Sequence, residues 1–217
     1  MWSKIITGLI ALMGIVYIFF IPEDPVWIKL SFKIIPMLLI LLYGFLQPAG
    51  HSKKYKMLIM TGLFICMLAD GLIYWFIVGL ITFLIGHIWY IFAFRSIRAV
   101  PIPKWVAICL LVYGLFMVIW IAGTVLSQGD TVLAIAIVIY IMVILSMGWN
   151  AFQTGNKFAV IGASLFMFSD SVLAINKFIL DVPYSAAFIM ISYYSAQFFI
   201  ASSITSNYSA IRKNLLK

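Results

Sequence analysis

Eight apolar stretches, each near the length of a bilayer-crossing helix and parted by short polar breaks, fill this chain. A spanning helix needs about 20 mostly apolar residues. Such segments are predicted over residues 5–21, 27–46, 57–75, 78–95, 104–123, 131–149, 158–178 and 184–205. Hydrophobic residues make up 65% of the sequence and charged residues 9%, with a mean hydropathy of +1.17. A soluble domain is about half apolar and a quarter charged. No water-soluble core of 217 residues could absorb this much apolar surface. The predicted fold is all-α: a polytopic membrane bundle of eight transmembrane helices, forming one integral-membrane domain over residues 1–217.

The breaks carry the signals expected of helix ends. Pro22, Pro25, Pro48, Pro101, Pro103 and Pro183 fall in or beside them, where a missing N–H and a fixed φ start or stop helices. Pro36 lies inside the second segment, where it should bend or locally open the helix and free backbone carbonyls. The N-terminal run after Lys4 lacks a small-residue cleavage site and is followed by Pro-Glu-Asp-Pro, so it reads as a retained first helix. Eleven of the fourteen Lys and Arg residues fall on one side of the predicted bundle, with no acid among them. These are Lys4, Lys53, Lys54, Lys56, Arg95, Arg98, Lys104, Lys157, Arg212, Lys213 and Lys217. The other side collects Glu23, Asp24, Asp130 and Asp181, with Lys29 and Lys177 near the boundary. The positive-inside rule then puts both termini in the cytoplasm, in keeping with an even number of spans. The net charge of +8 is a topological signal of this kind rather than a nucleic-acid-binding face. Compact loops suggest a bacterial plasma-membrane protein.

Two acids interrupt the apolar segments. Gly62–Tyr74 and Gly162–Phe178 align with an offset of 100, pairing Gly62 with Gly162, Ala69 with Ser169, and Asp70 with Asp170. A carboxylate inside a spanning segment costs roughly 3 kcal/mol on insertion scales, and its default reading is functional. Two in matching positions call for a common reason. The offset also suggests two four-helix halves, 1–103 and 104–217, which would share one orientation because four spans is an even number.

Lys33, about six residues in from the outer end of the second helix, lies at a depth close to that of both acids. His87 and Tyr90 in the fourth helix, and Tyr193, Tyr194 and Gln197 in the eighth, complete a polar band between the midplane and the outer face. Each has a plainer reading. The acids could be paired structurally with a lysine or a helix end, and Lys33 could snorkel to the interface. His87 with Tyr90, and Tyr194 with Gln197, could be interhelical hydrogen-bond glue. Ser146 and Asn150 read as packing residues, and Cys66 and Cys109 as free buried thiols. With only His51 and His87 there is no multi-histidine zinc site, and no G-x-S-x-G elbow, P-loop or dinucleotide fingerprint is present. Acid–base chemistry from two carboxylates, assisted by His87, Lys33 and a tyrosine, is what the residues offer.

In these marks the chain resembles the YhhN-like membrane proteins, the lysoplasmalogenases, over nearly its whole length. They are K-x-x-P (Lys33, Pro36), Asp70, and F-x-x-G-H-x-x-Y (Phe83, Gly86, His87, Tyr90). Further along come G-A-x-x-F-x-x-S-D (Gly162, Ala163, Phe166, Ser169, Asp170), K-F (Lys177, Phe178) and Y-Y-x-A-Q (Tyr193, Tyr194, Ala196, Gln197). Ala69 departs from the family's usual glycine before the first acid, a small-for-small change. The resemblance implies hydrolysis of the vinyl-ether bond of a lysoplasmalogen, giving a fatty aldehyde and glycerophosphocholine or glycerophosphoethanolamine. Its partners would be an alkenyl lysophospholipid and membrane lipids, with no metal and no cofactor.

The residue types suit that chemistry. Protonation of the vinyl-ether β-carbon gives an oxocarbenium ion, which water captures; the hemiacetal then collapses to aldehyde and alcohol. One protonated acid and one carboxylate can serve these steps, much as two carboxylates flank an oxocarbenium-like state in glycosidases. Asp70 and Asp170 are the expected acid/base pair, in either order. His87, Tyr90, Tyr193, Tyr194 and Gln197 are the expected supporting residues, and Lys33 would hold an acid or the lipid phosphate. Two other classes fit paired intramembrane acids: a proton-coupled transporter and a lipid-binding protein without chemistry.

Overall fold

The computed structural model describes residues 2–22 and 24–205. Glu23, Arg212, Lys213 and Lys217, which carry part of the predicted charge asymmetry, lie outside the described residues. Eight helices are long and apolar enough to cross a membrane. They are α1 (Trp2–Phe20), α2 (Val26–Leu46), α3 (Lys53–Leu72), α4 (Phe76–Ser96), α5 (Lys104–Ser127), α6 (Thr131–Gln153), α7 (Lys157–Phe178) and α8 (Ser185–Ser202).

The ends follow from local chemistry. Ser52 accepts from Tyr55 N at 3.0 Å, Asp130 from Leu133 N at 3.0 Å and Asn156 from Phe158 N at 2.9 Å, each satisfying a donor that the helix itself leaves unpaired. Pro25 and Pro103 stand directly before α2 and α5. The Ser52 cap starts α3 four residues ahead of the predicted segment, so Lys53, Lys54 and Lys56 belong to its first turn; Lys53 and Lys54 are exposed, whereas Lys56 Nζ donates to the Phe45 and Gln47 carbonyls at the end of α2. At its other end α3 stops at Leu72, where Trp75 N turns back to the Leu72 carbonyl at 3.0 Å. Helix α5 runs past the predicted end at residue 123 because a π-helical turn, Val118–Ala122, absorbs an extra residue without breaking the span. Pro36 does not interrupt α2. The Tyr194 hydroxyl donates to the Lys33 carbonyl at 2.8 Å, supplying an interhelical partner beside the proline.

The bundle is apolar outside and sets a few polar groups within an otherwise apolar core. Phe20, Trp27, Phe45, Trp105 and Leu111 are exposed, whereas Asp70, His87, Ser169, Ser192 and Gln197 are buried. That is the arrangement expected where the solvent is hydrocarbon and buried polar groups must find one another. The most extensive helix pairs are α3 with α4 and α7 with α8; α4 also packs on α6, and α2 on α8. Gly62 and Gly162 permit the first two. A Cβ on Gly62 would lie 2.4 Å from the Tyr90 ring in α4, and one on Gly162 would lie 2.9 Å from the Ala196 carbonyl oxygen in α8.

On the basic face, three turns are tied together. Asn156 Nδ2 donates to the Ser203 carbonyl at 3.1 Å and contacts His51 Nε2 at 3.3 Å, while Gly50 N donates to the Ile204 carbonyl at 3.0 Å. Both cysteines are free thiols, Cys66 buried and Cys109 exposed.

Candidate active site within the bundle

Asp70 sits near the end of α3 furthest from the basic face, sealed to 1% exposure. Lys33 of α2 lies over it, with Nζ 3.2 Å from Oδ1, and the Tyr193 hydroxyl of α8 donates to Oδ2 at 2.6 Å. Lys33 thus forms an ion pair with one of the two acids. The carboxylate is held by one charged and one neutral donor, short and charge-assisted.

Asp170 on α7 has a different setting. Tyr140 of α6 donates to its Oδ2 at 2.6 Å, and no salt bridge reaches it among the described residues. It lies deep in the bundle yet is only half-buried, and it lines a narrow cleft between α4, α5, α6 and α7. The cleft is otherwise apolar apart from Tyr113, Tyr140 and Ser171; Met117 and Ile121, beside and within the π-helical turn, form part of its wall. Tyr113 and Ser171 share a hydrogen bond at 2.6 Å, and Ser171 donates to the Met167 carbonyl at 2.6 Å.

A continuous aromatic stack joins the two acids. The Tyr193 ring meets Phe166 at 5.5 Å, Phe166 meets His87 at 4.5 Å, and His87 meets Tyr140 at 5.5 Å, all edge to face. His87 is fully buried, and among the described residues neither ring nitrogen has a partner within hydrogen-bond geometry. The same holds for Gln197 Nε2, although Gln197 Oε1 accepts from the Tyr90 hydroxyl at 2.6 Å. Buried polar atoms without partners are rare and point to a role that a ligand or water completes.

The structure thus gathers Lys33, Asp70 and Tyr193 into one cluster and Tyr90 with Gln197 into another. His87 lies against the aromatic stack rather than bonding Tyr90; their rings are 6.4 Å apart. Tyr194 and Gln197, one helical turn apart, serve different neighbours, α2 and α4. Tyr140 is absent from the residues singled out in the sequence. A signal existed: between Val132 and Leu145 it is the only side chain with an oxygen or nitrogen atom. Among the described residues, no three His, Cys, Asp or Glu side chains converge as a metal site requires.

An all-helical bundle with eight helices long and apolar enough to cross a membrane, holding two acids among hydroxyls beside an apolar cleft, defines a class of multi-pass membrane proteins with a polar intramembrane site. The chain belongs to the YhhN family, which residues 28–204 match. It is similar to the lysoplasmalogenase TMEM86B of Homo sapiens, 31% identical over 194 residues that cover 84% of this chain and 78% of that protein. It is also similar to the lysoplasmalogenase TMEM86A of Bos taurus, 28% identical over 212 residues, covering 86% of this chain and 82% of that protein. No solved structure matches the chain.

Proposed function

We propose that this protein is a lysoplasmalogenase: it hydrolyses the vinyl ether of an alkenyl lysophospholipid to a fatty aldehyde and a glycerophospho-base. The observation that carries the reading is the pair of in-bundle acids in a chain whose relatives bear that name, one acid lining an apolar cleft. Asp170 donates a proton to the β-carbon, which belongs to the alkenyl chain and so lies on the cleft side. The resulting oxocarbenium carbon faces Asp70, whose carboxylate is held by Lys33 and Tyr193. Water adds to that carbon as Asp70 accepts its proton, forming a hemiacetal. Collapse then breaks the bond between the former vinyl carbon and the glycerol oxygen, which takes the proton held by Asp70 while the hemiacetal hydroxyl gives its own to Asp170 and the aldehyde forms. One water is consumed and the catalytic protons are restored. His87 and Gln197, with their free nitrogens, are the groups available to hold that water.

The same pairs of helices support reading residues 1–103 and 104–217 as two like halves: α3 on α4 answers α7 on α8, and α4 on α6 answers α8 on α2. In each half the acid takes a partner from the helix before it, Lys33 from α2 or Tyr140 from α6.

The test is aldehyde release by purified protein from an alkenyl lysophospholipid, with an acyl lysophospholipid as control. Aldehyde from the alkenyl lipid alone supports the hydrolase. Folded protein that releases none across a range of pH would overturn it in favour of a carrier, for which the same acids would be assayed in proton-coupled transport.

A further inference from the structure

A second opening lies beside the cleft, at the end of the bundle opposite the basic face. Tyr17, Lys29, Leu30, Lys33, Ile73 and Tyr74 line this vestibule, and no acid is among its described lining residues. Lys29 and Lys33 stand one helical turn apart on α2, so both ammonium groups serve the same space. Lys33 forms the floor. Its side chain keeps 12% exposure, while the Asp70 carboxylate that it covers keeps 1%. Ile73, one turn beyond Asp70, lines both the vestibule and the Asp170 cleft. Its position is fixed from behind, since a Cβ on Gly79 of α4 would come within 2.7 Å of the Ile73 Cα.

We infer that this vestibule binds the phosphodiester of the lysophospholipid through Lys29 and Lys33, and that the lipid crosses Ile73 to lay its chain in the Asp170 cleft. The lipid's identity rests on the hydrolase reading; the anion site rests on the two lysines and the lining. An ammonium has three donors, so Lys33 can hold the phosphate while keeping its contact with Asp70. Only the three glycerol carbons separate the phosphate from the ether oxygen. A phosphate on Lys29 and Lys33 therefore brings the vinyl ether to Asp70, whose Oδ1 is 3.2 Å from Lys33 Nζ. The hydrocarbon beyond the ether then has the cleft on the far side of Ile73 to enter.

The test is equilibrium binding of a saturated 1-alkyl lysophospholipid, which bears the phosphate but has no vinyl ether to cleave. It is compared with a 1-alkylglycerol of equal chain length and with inorganic phosphate, using purified full-length protein in nonionic detergent. Wild type should bind the phosphate-bearing lipid at least about tenfold more tightly than the alkylglycerol, the scale of one charge-assisted hydrogen bond. Lys29→Gln should remove most of that difference, and Lys29→Arg should keep it. Equal binding of the two lipids by wild type overturns the proposal, as does an undiminished difference in Lys29→Gln. Inorganic phosphate binding as tightly as the lipid would assign the site to free phosphate and also overturn it. Since the probe is never turned over, lipid binding without aldehyde release in the earlier assay would remove the hydrolase and leave the phosphate site standing.

Discussion

Asp70 and Asp170 occupy matching positions in α3 and α7, and each receives a 2.6 Å hydrogen bond from a tyrosine. There the likeness ends. Asp70 has a lysine at 3.2 Å and is closed off, whereas among the described residues Asp170 meets only the Tyr140 hydroxyl and borders an apolar cleft. The difference arises on the preceding helices, where α2 contributes Lys33 and α6 contributes Tyr140. One acid is thereby paired with a cation and the other is placed against hydrocarbon. A repeated frame can supply two identical groups, but it takes unlike neighbours to give them separate work.

The most severe test of this division is Asp70→Asn beside Asp170→Asn. Each amide oxygen can still accept from its tyrosine, so folding should persist while aldehyde release falls by about 100-fold or more. A variant that keeps near-wild-type turnover would remove that acid from the mechanism. The next test concerns stability. Lys33→Met leaves the Asp70 carboxylate sealed without its cation and should cost about 3–5 kcal/mol, against about 1 kcal/mol for Tyr140→Phe. Thermal unfolding in detergent compares the two. The double variant Lys33→Met/Asp70→Asn should recover most of the loss, and if it does not, the ion pair is not what Lys33 contributes.

Helix contact comes next in size. Gly62→Ala and Gly162→Ala should each destabilise by about 1–3 kcal/mol through overpacking. Gly62→Ala drives a methyl into the Tyr90 ring and so also strains the Tyr90–Gln197 bond. It should lower activity more than Gly162→Ala does at equal loss of melting temperature. Unchanged melting in both would mean that the helices slide apart freely.

The smallest effect lies away from both acids. Burial holds His51 below the ordinary histidine value of 6.5, and its contact with the donor-only Asn156 amide requires a bare Nε2. The folded state thus resists a proton that the unfolded chain accepts. The His51 contribution is complete above pH 6.5 and is lost as pH falls below it. Melting temperature followed from pH 8 to pH 5 should fall less steeply in His51→Gln. If the slope instead vanishes only in the aspartate variants, the titration belongs to the acids.

Much of this was legible in the residues. The eight spans, the breaks at proline, the two acids and the Lys33–Asp70 neighbourhood follow from hydropathy, depth and charge. Tyr193 rather than Tyr194 meeting the acid, Tyr140 as the partner of Asp170, and His87 boxed by rings were not legible. Adjacent tyrosines on a helix point about 100° apart, and sequence alone does not state which way α8 is turned.

What the sequence determined by itself was therefore the set of helices and the polar groups each one carries. Transfer free energy and backbone satisfaction act on each segment alone, and they leave a chain this apolar little choice. Only the tertiary structure decided how the helices are rotated and set in depth: Lys33 over one acid, Tyr140 on the other, Ile73 between vestibule and cleft. Those choices depend on contacts between segments far apart in the chain, where a glycine such as Gly62 admits one approach and side-chain volume forbids the rest.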